Sequence, residues 1–282
     1  MELDQAFKAL GLEDRRAECR LLVQKFTEIK ILLIRSRRST NGEKELVRAF
    51  WDEHIKTHPN DTNDPIASLM YFSVKKGELL LTVRKKNFAE HLYGLSSRPS
   101  EFVFKGTPLD SKNALALSFG AVAVTKPSEK YPQGCIIFSK RGKTALNCGE
   151  YTALPGGYFN PTKDFTGKNS NGDKEKYISL EKAVERESSE ELPGLDSYEN
   201  LETLGLIYSC SGSKQPLIAI SIKLPYATEL AMQILRSRKP DWEVENYIFV
   251  PADIEGLKEF VKEHALCSHD VWKIALYVAK NL

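Results

Sequence analysis

Two stretches decide the fold of this chain. Leu154–Gly157 reads Leu-Pro-Gly-Gly, and Glu181–Leu195 reads Glu-Lys-Ala-Val-Glu-Arg-Glu-Ser-Ser-Glu-Glu-Leu-Pro-Gly-Leu. Ser179 has the side chain of a helix N-cap, and Pro193-Gly194 has the residues of a helix stop, so the pattern predicts a helix over residues 180–192.

The predicted helix carries a cluster of acids. Glu187, Glu190 and Glu191 are spaced i, i+3 and i+4, which places their carboxylates on one face. An acidic helix face is usually only solvated, but here the apolar stripe Leu180–Val184 continues into Glu187, which directs the acids inward. Clustered carboxylates repel one another unless a cation compensates, and hard oxygen ligands are those that Mg²⁺ prefers. Gly156 and Gly157 suit a turn whose backbone approaches this helix or a phosphate.

The segment resembles the Nudix box, whose consensus is G-x5-E-x7-R-E-U-x-E-E-x-G-U. Gly157 matches its first glycine, and the sequence matches the central R-E-x-x-E-E at Arg186, Glu187, Glu190 and Glu191. The resemblance implies that these three glutamates bind divalent cations, Mg²⁺ or alternatively Mn²⁺, and that Arg186 holds the acidic cluster in place. It also implies an α/β/α sandwich.

The box departs from the consensus in its spacing. Gly157 and Arg186 are 29 positions apart, where the consensus has 14, which indicates an insertion near Thr162–Lys176. Counting back from Arg186 places the consensus glutamate before the helix at Ile178, so this acid is missing or supplied by Glu175 or Glu181.

A narrower resemblance covers most of the chain. It is similar to the Nudix subgroup that hydrolyses UDP-glucose and UDP-galactose, which also has an N-terminal domain and a lengthened box. The similar patches are Ala49–Trp51, Leu79–Arg84, Cys135–Arg141 and Tyr247–Val250. This resemblance implies that Glu187 and Glu191 are the main metal ligands.

Further candidates lie outside the box. Many Nudix enzymes place another acid before a late strand, which favours Glu243 as a catalytic residue and Glu245 as the second choice; the alternative is two solvated loop acids. Arg84 and Arg141, together with Gly156 and Gly157, are predicted to contact substrate, because guanidinium groups bind phosphates in a bidentate manner.

Strands around a few helices in the remaining sequence predict an α/β or α+β sandwich. Together with the resemblance, this implies an α/β fold, a Nudix α/β/α sandwich with an additional N-terminal α+β domain. Asp4–Glu28 has helical spacing broken near Gly11, and residues 68–84 have the pattern of a β-hairpin. Proline, serine and glycine cluster near residues 99–113 and place a boundary there. We therefore expect an N-terminal domain over residues 1–112 and a Nudix hydrolase domain over residues 113–282, with a flexible loop at Thr162–Lys176.

Composition limits the classes of partner. The 282 residues carry 40 Lys and Arg against 38 Asp and Glu, a net charge of +2 that argues against a dedicated nucleic-acid surface but permits a small anionic ligand. The five cysteines are scattered, which argues against a disulfide framework or a zinc site. With no signal peptide or membrane span in the pattern, we expect a cytoplasmic protein that does not enter a membrane.

The sequence leads to three hypotheses about function. The first is Mg²⁺-dependent hydrolysis of a small-molecule nucleotide sugar such as UDP-glucose to a nucleoside monophosphate and a sugar 1-phosphate. The second keeps the chemistry but exchanges the substrate for ADP-ribose, a dinucleotide or a nucleoside triphosphate. The third is a non-catalytic Nudix module that binds nucleotides or a partner protein.

Overall fold

The computed structural model describes residues 1–34, 40–96, 115–142, 149–168, 176–195, 197–210, 214–238 and 243–282. Its helices are α1 (Leu3–Leu10), α2 (Asn41–Thr57), α3 (Phe88–Ser96), α4 (Leu180–Glu191), α5 (Thr228–Arg236), α6 (Ile254–Glu263) and α7 (Ser268–Asn281), with a 3₁₀ helix at Glu13–Glu18. Its strands are β1 (Cys19–Val23), β2 (Glu28–Ile34), β3 (Pro65–Lys75), β4 (Glu78–Asn87), β5 (Leu115–Ala116), β6 (Ser118–Lys126), β7 (Cys135–Arg141), β8 (Tyr151–Ala153), β9 (Gly156–Tyr158), β10 (Phe165–Lys168), β11 (Lys176–Ile178), β12 (Asn200–Ser209), β13 (Pro216–Ala227) and β14 (Val244–Pro251).

The strands form two sheets. The larger has the order β1-β12-β13-β6-β7-β14, with β8 paired to β7 and β9 paired to β6. The smaller has the order β10-β11-β2-β4-β3-β5. Two neighbouring pairs are parallel, β13 with β6 and β2 with β4. The predicted α/β fold class is confirmed.

The larger sheet lies between two apolar layers. Along β6 the side chains alternate, so Phe119 and Ala121 pack with α4 and the smaller sheet, whereas Val122 and Val124 pack with α1, α6 and α7. Because both faces are covered, β6 is buried from Ser118 to Thr125. A strand buried on both faces is a stable support for groups at its ends.

Each sheet contains a strand that lies far along the sequence from the other strands of that sheet. Strand β1, near the N terminus, pairs with β12 at the edge of the larger sheet. Strand β11, which begins at the last residue of the predicted box insertion, pairs with β2 of the smaller sheet, with Tyr177 opposite Leu32. The division at residue 112 itself lies outside the described residues, and so do Pro99–Asn113.

Several local predictions need correction. Residues after Gly11 do not form a second long helix, because Gly11 adopts a left-handed conformation with φ of 68° that ends α1, and Leu21 and Leu22 then extend in β1. Helix α2 begins at Asn41, because Thr40 and Glu43 form a reciprocal capping box.

The insertion and one later strand also differ from expectation. Within the predicted loop Thr162–Lys176, residues 165–168 form β10 and Lys176 begins β11, because β10 pairs with β11 and β11 pairs with β2. Residues 169–175 of this predicted loop lie outside the described residues. Strand β12 was missed altogether, although its inner half from Leu204 is buried. The hairpin β3–β4, by contrast, is confirmed with its turn at Lys76-Gly77.

Helix α1 belongs to the apolar layer that covers one face of the larger sheet. Phe7 is 1% exposed and meets Trp272 of α7 edge to face, with ring centroids 5.1 Å apart. We expect Phe7→Ala to lower the free energy of unfolding by about 3–5 kcal/mol, because truncation of a buried aromatic side chain leaves a cavity. Urea unfolding followed by tryptophan fluorescence measures this change.

The matched control is Leu46→Ala on α2, where the leucine is 56% exposed. We expect this change to stay within about 0.5 kcal/mol. Equal effects of the two substitutions would contradict the packing of α1 on α7.

Candidate functional site

Helix α4 presents the predicted acidic cluster. The Ser179 hydroxyl accepts a hydrogen bond from Lys182 N at 3.1 Å and caps the helix, as the sequence predicts. Leu180, Ala183 and Val184 anchor its first turns in the core between the sheets. The apolar stripe therefore fixes the rotation of the helix about its axis.

That rotation separates the three acids. Glu187 and Glu191 turn inward, with the Glu187 side chain 12% exposed and Glu191 7% exposed. Glu190 is exposed at the rim of the same cavity. The first and last acids of the cluster are thus the two that are withdrawn from water.

Gly156 and Gly157, predicted as a turn, are instead the start of strand β9, because they pair with β6, and they make room for these carboxylates. Strand β9 pairs with β6 so that Gly157 lies opposite Phe119 and Gly156 opposite Gly120. Gly156 N donates a hydrogen bond of 2.7 Å to Glu191 Oε2. A Cβ atom on Gly157 would lie 2.1 Å from Glu187 Oε1, so only glycine permits the observed approach.

Arg186 ties the helix to the insertion. Its Nε and Nη2 donate bidentate hydrogen bonds of 3.0 Å each to the carboxylate of Asp164, and Nη2 also donates to Tyr158 O at 2.9 Å. Its Nη1 donates to Glu187 Oε1. Arg186 therefore joins Glu187 of the acidic cluster to Asp164 of the insertion.

Asp164 was missed by sequence reasoning. The consensus glutamate lies six positions after the glycine, which is Lys163 when counted forward from Gly157, one residue before Asp164. The Asp164 side chain is 1% exposed and also accepts from Asn160 N at 2.6 Å. Of the two acids proposed for this place, Glu175 lies outside the described residues and Glu181 bonds Ser179 instead.

Burial dominates the electrostatics of the acid pair. It raises the pKa of Glu187 to about 7, against the opposing effect of Arg186. Burial also raises the pKa of Glu191 well above its usual range, and the neighbouring charge of Glu187 raises it further. Two buried carboxylates that favour protonation are a site where a divalent cation would relieve both desolvation and repulsion.

The opposite wall carries a second ion pair. Arg141, at the end of β7, lies with Nη2 2.9 Å from Glu243 Oε2, and Gly142 N donates to Glu243 O at 2.8 Å. The charge of Glu243 contributes to the raised pKa values of Glu187 and Glu191, so it faces them across the site. Glu245 instead pairs with Lys140 at 3.1 Å and does not line the site.

These groups surround a cavity of about 520 Å³, which we call the carboxylate cavity. The predicted residues on its wall are Gly156, Gly157, Arg186, Glu187, Glu190, Glu191, Arg141 and Glu243. Arg84 is not among them, because β4 carries it into the smaller sheet, where it is buried. A second cavity of about 1000 Å³, beside Lys126, Asp253 and the C terminus, contains none of the predicted site residues.

The cavity also has walls that the sequence did not indicate. The loop after α2 contributes Asn60, Asp61, Thr62 and Asp64, and the start of α7 contributes His269 and Lys273. Asp61 Oδ2 lies 2.8 Å from His54 Nε2, which orients this carboxylate. Distant segments share no spacing pattern, so only the fold brings them together.

The anchoring role of Asp164 can be tested by stability. We expect Asp164→Ala to lower the free energy of unfolding by about 3–5 kcal/mol, because it leaves a half-buried guanidinium without its bidentate partner. Asp64→Ala is the control, since its pair with Lys163 is exposed and separated by 3.4 Å. That control is expected to change stability by less than about 1 kcal/mol in the same urea titration. If Asp164→Ala is no more harmful than Asp64→Ala, Arg186 does not depend on Asp164.

Among the helices of the described ranges, none contains an apolar stretch of the length that a bilayer requires.

No protein-family model matches the chain. Comparison with curated proteins likewise finds none that matches its sequence.

Proposed function

We propose that this protein is a Mg²⁺-dependent hydrolase of the Nudix type that cleaves a phosphoanhydride bond in a nucleotide sugar. The observation that carries the proposal is a pair of carboxylates withdrawn from water on the wall of the carboxylate cavity, Glu191 buried and Glu187 with its side chain 12% exposed. Desolvated carboxylates with raised pKa values on a cavity wall favour a binding role.

The donor set fits a hard divalent cation. Glu187 and Glu191 offer carboxylate oxygens, and exposed Glu190 adds a third at the rim. In this proposal the three hold Mg²⁺, or Mn²⁺ in its place. The bound cation would neutralise charge on the diphosphate and lower the pKa of a water molecule.

The protein groups around the acids position them. Gly156 N holds one oxygen of Glu191, and Arg186 holds Glu187 while being held by Asp164. Neither carboxylate is free to turn away from the cavity. Preorganised ligands of this kind keep the cost of reorganisation out of the reaction.

The opposite wall supplies a group for the substrate anion. In the proposed complex, Arg141 donates to a phosphate oxygen, for which its planar guanidinium is suited. Glu243 orients that guanidinium through the 2.9 Å contact. The charge of the diphosphate is thus met from both sides of the cavity.

The rest of the cavity supports a sugar-bearing substrate. Its volume of about 520 Å³ is within the usual range for a small-molecule site. The wall formed by Asn60, Asp61, Thr62 and Asp64 is polar and offers both donors and acceptors. Such a wall suits a group rich in hydroxyls, which is why a nucleotide sugar is preferred over a nucleoside triphosphate.

Product analysis tests the proposal. Purified protein with Mg²⁺ is incubated with UDP-glucose, UDP-galactose, ADP-ribose, a dinucleoside polyphosphate and nucleoside triphosphates. We expect a nucleoside monophosphate and a sugar 1-phosphate, with kcat reduced by on the order of 10²-fold or more in Glu187→Gln and Glu191→Gln.

Glu185→Gln is the control on the same helix, because Glu185 is exposed and does not line the cavity. Its activity should equal that of the wild type. Cleavage of another substrate class would change the proposed substrate alone, and absence of turnover with all of them would favour a non-catalytic binding module.

Metal binding should also appear as a pH-dependent stabilisation. The pKa of Glu187 in the folded chain is about 7, which is above the ordinary value of 4.5. Without a divalent cation, the stability that the protonated Glu187 carboxyl contributes is therefore lost as the pH rises through about 7. A cation that binds the ionised carboxylates reverses this loss. The increase in Tm on adding Mg²⁺ should therefore grow as the pH rises through about 7.

Differential scanning fluorimetry at several pH values measures this increase. In Glu187→Gln and Glu191→Gln we expect the Mg²⁺-dependent increase to shrink or vanish. An increase that is independent of pH, or unaltered in both variants, would place the cation elsewhere.

A further inference from the structure

The first turn of α7 brings an imidazole to the carboxylate cavity. His269, Lys273 one turn later on α7, and Gly120 of β6 line its wall. A Cβ atom on Gly120 would lie 2.9 Å from Lys273 Nζ, and Gly120 pairs with Gly156, whose N–H binds Glu191. The start of α7 is therefore packed against the backbone that holds the acid pair.

The residue after His269 is a rigidly held, fully buried carboxylate. Asp270 Oδ1 accepts from Ala153 N at 2.9 Å and lies 2.6 Å from Lys273 Nζ, which also donates to Ala153 O at 2.9 Å. The Asp270 side chain is held in place, because its Oδ1 is joined to Ala153 of β8 both directly and through Lys273. One oxygen of Asp270 is fully committed to this structure.

The other oxygen of Asp270 is directed to the imidazole. In the described part of the chain, Asp270 Oδ2 is buried and accepts no hydrogen bond, while His269 Nε2 lies 3.6 Å away. A buried carboxylate oxygen without a donor is costly, so a small shift that closes this gap is favourable. A hydrogen bond from Nε2–H to Asp270 would leave Nδ1 as the acceptor of the ring.

The surrounding charges keep that acceptor available. Burial lowers the pKa of His269, and the cations Lys273 of α7 and Arg141 of β7 lower it further against the effects of Asp270 and Glu150. The ring is neutral at neutral pH as a result. A neutral imidazole oriented by a buried carboxylate is an arrangement suited to removing a proton from water.

We propose that His269 is the catalytic base of this site, oriented by Asp270; the inference rests on the proposed hydrolase function. Nδ1 of His269 takes a proton from a water molecule as the water oxygen forms its bond to phosphorus. The bridging P–O bond breaks, and the leaving phosphate departs with the electron pair. The proton on the imidazolium then passes to solvent, which restores the neutral ring.

This assignment displaces Glu243 from the role of base. Glu243 is held by the Arg141 guanidinium at 2.9 Å and by its own backbone contact to Gly142. An ion-paired carboxylate is a weaker proton acceptor than a neutral imidazole. Glu243 acts instead by positioning Arg141.

Kinetics of His269→Ala, Glu243→Gln and Asp270→Asn test the inference on whichever substrate the wild type cleaves. We expect His269→Ala to lower kcat by about 10²- to 10⁴-fold with little change in KM, and added imidazole to restore part of the rate. Asp270→Asn should lower kcat less. The Mg²⁺-dependent increase in Tm should persist in His269→Ala, which shows that the acid pair is intact.

The control is His264→Ala, since His264 packs against Tyr151 and Phe260 and does not line the cavity. It should keep wild-type kcat and gain nothing from imidazole. If His269→Ala retains kcat while Glu243→Gln loses it, the base is Glu243 and the hydrolase assignment stands. If the wild type cleaves none of the substrates, the hydrolase assignment and the base role both fall.

A measurement that needs no turnover is the ¹⁵N chemical shift of the imidazole nitrogens. We expect His269, identified by its absence from the His269→Ala spectrum, to be neutral with the proton on Nε2. A proton on Nδ1 would overturn the proposed orientation, whatever the kinetics show.

Discussion

The approach of α4 to Gly156 and Gly157 at the start of β9 is the constraint on which the rest of the site depends. Glu187 can lie where it does because Gly157 has no side chain, and Glu191 accepts a hydrogen bond from the Gly156 N–H. Burial of two like charges is unfavourable unless their surroundings supply compensation. Arg186 compensates part of the charge of Glu187. The charge that is left without compensation lies on the wall of one cavity.

That constraint explains why the insertion is ordered where it meets the helix. Asp164 receives the Arg186 guanidinium in a bidentate arrangement, and Ser179 N donates to Asp164 O at 2.8 Å at the beginning of α4. Asp164, near the start of the insertion, is thus joined both to the N-cap of α4 and to Arg186 in the body of that helix.

The sharing of strands gives the N-terminal part of the chain a role in the cavity. Strands β11 and β2 join the insertion to the smaller sheet, and the loop after α2 forms one wall of the carboxylate cavity. Strand β1 and helix α1 complete the other side of the larger sheet. The N-terminal segment therefore contributes residues to the wall of the cavity.

The sequence by itself determined the features that depend on local spacing. Helix α4, its cap at Ser179 and its inward apolar stripe all follow from periods of a few residues, because rotation per residue is fixed in a helix. Gly156 and Gly157, predicted as a turn, form a strand because they pair with β6. Only the tertiary structure decided which acids are buried, that Asp164 receives Arg186, that Arg84 lies away from the cavity, and that His269 joins it. These outcomes depend on contacts between segments far apart in the chain, and the packing that selects such contacts leaves no periodic signal in any one segment.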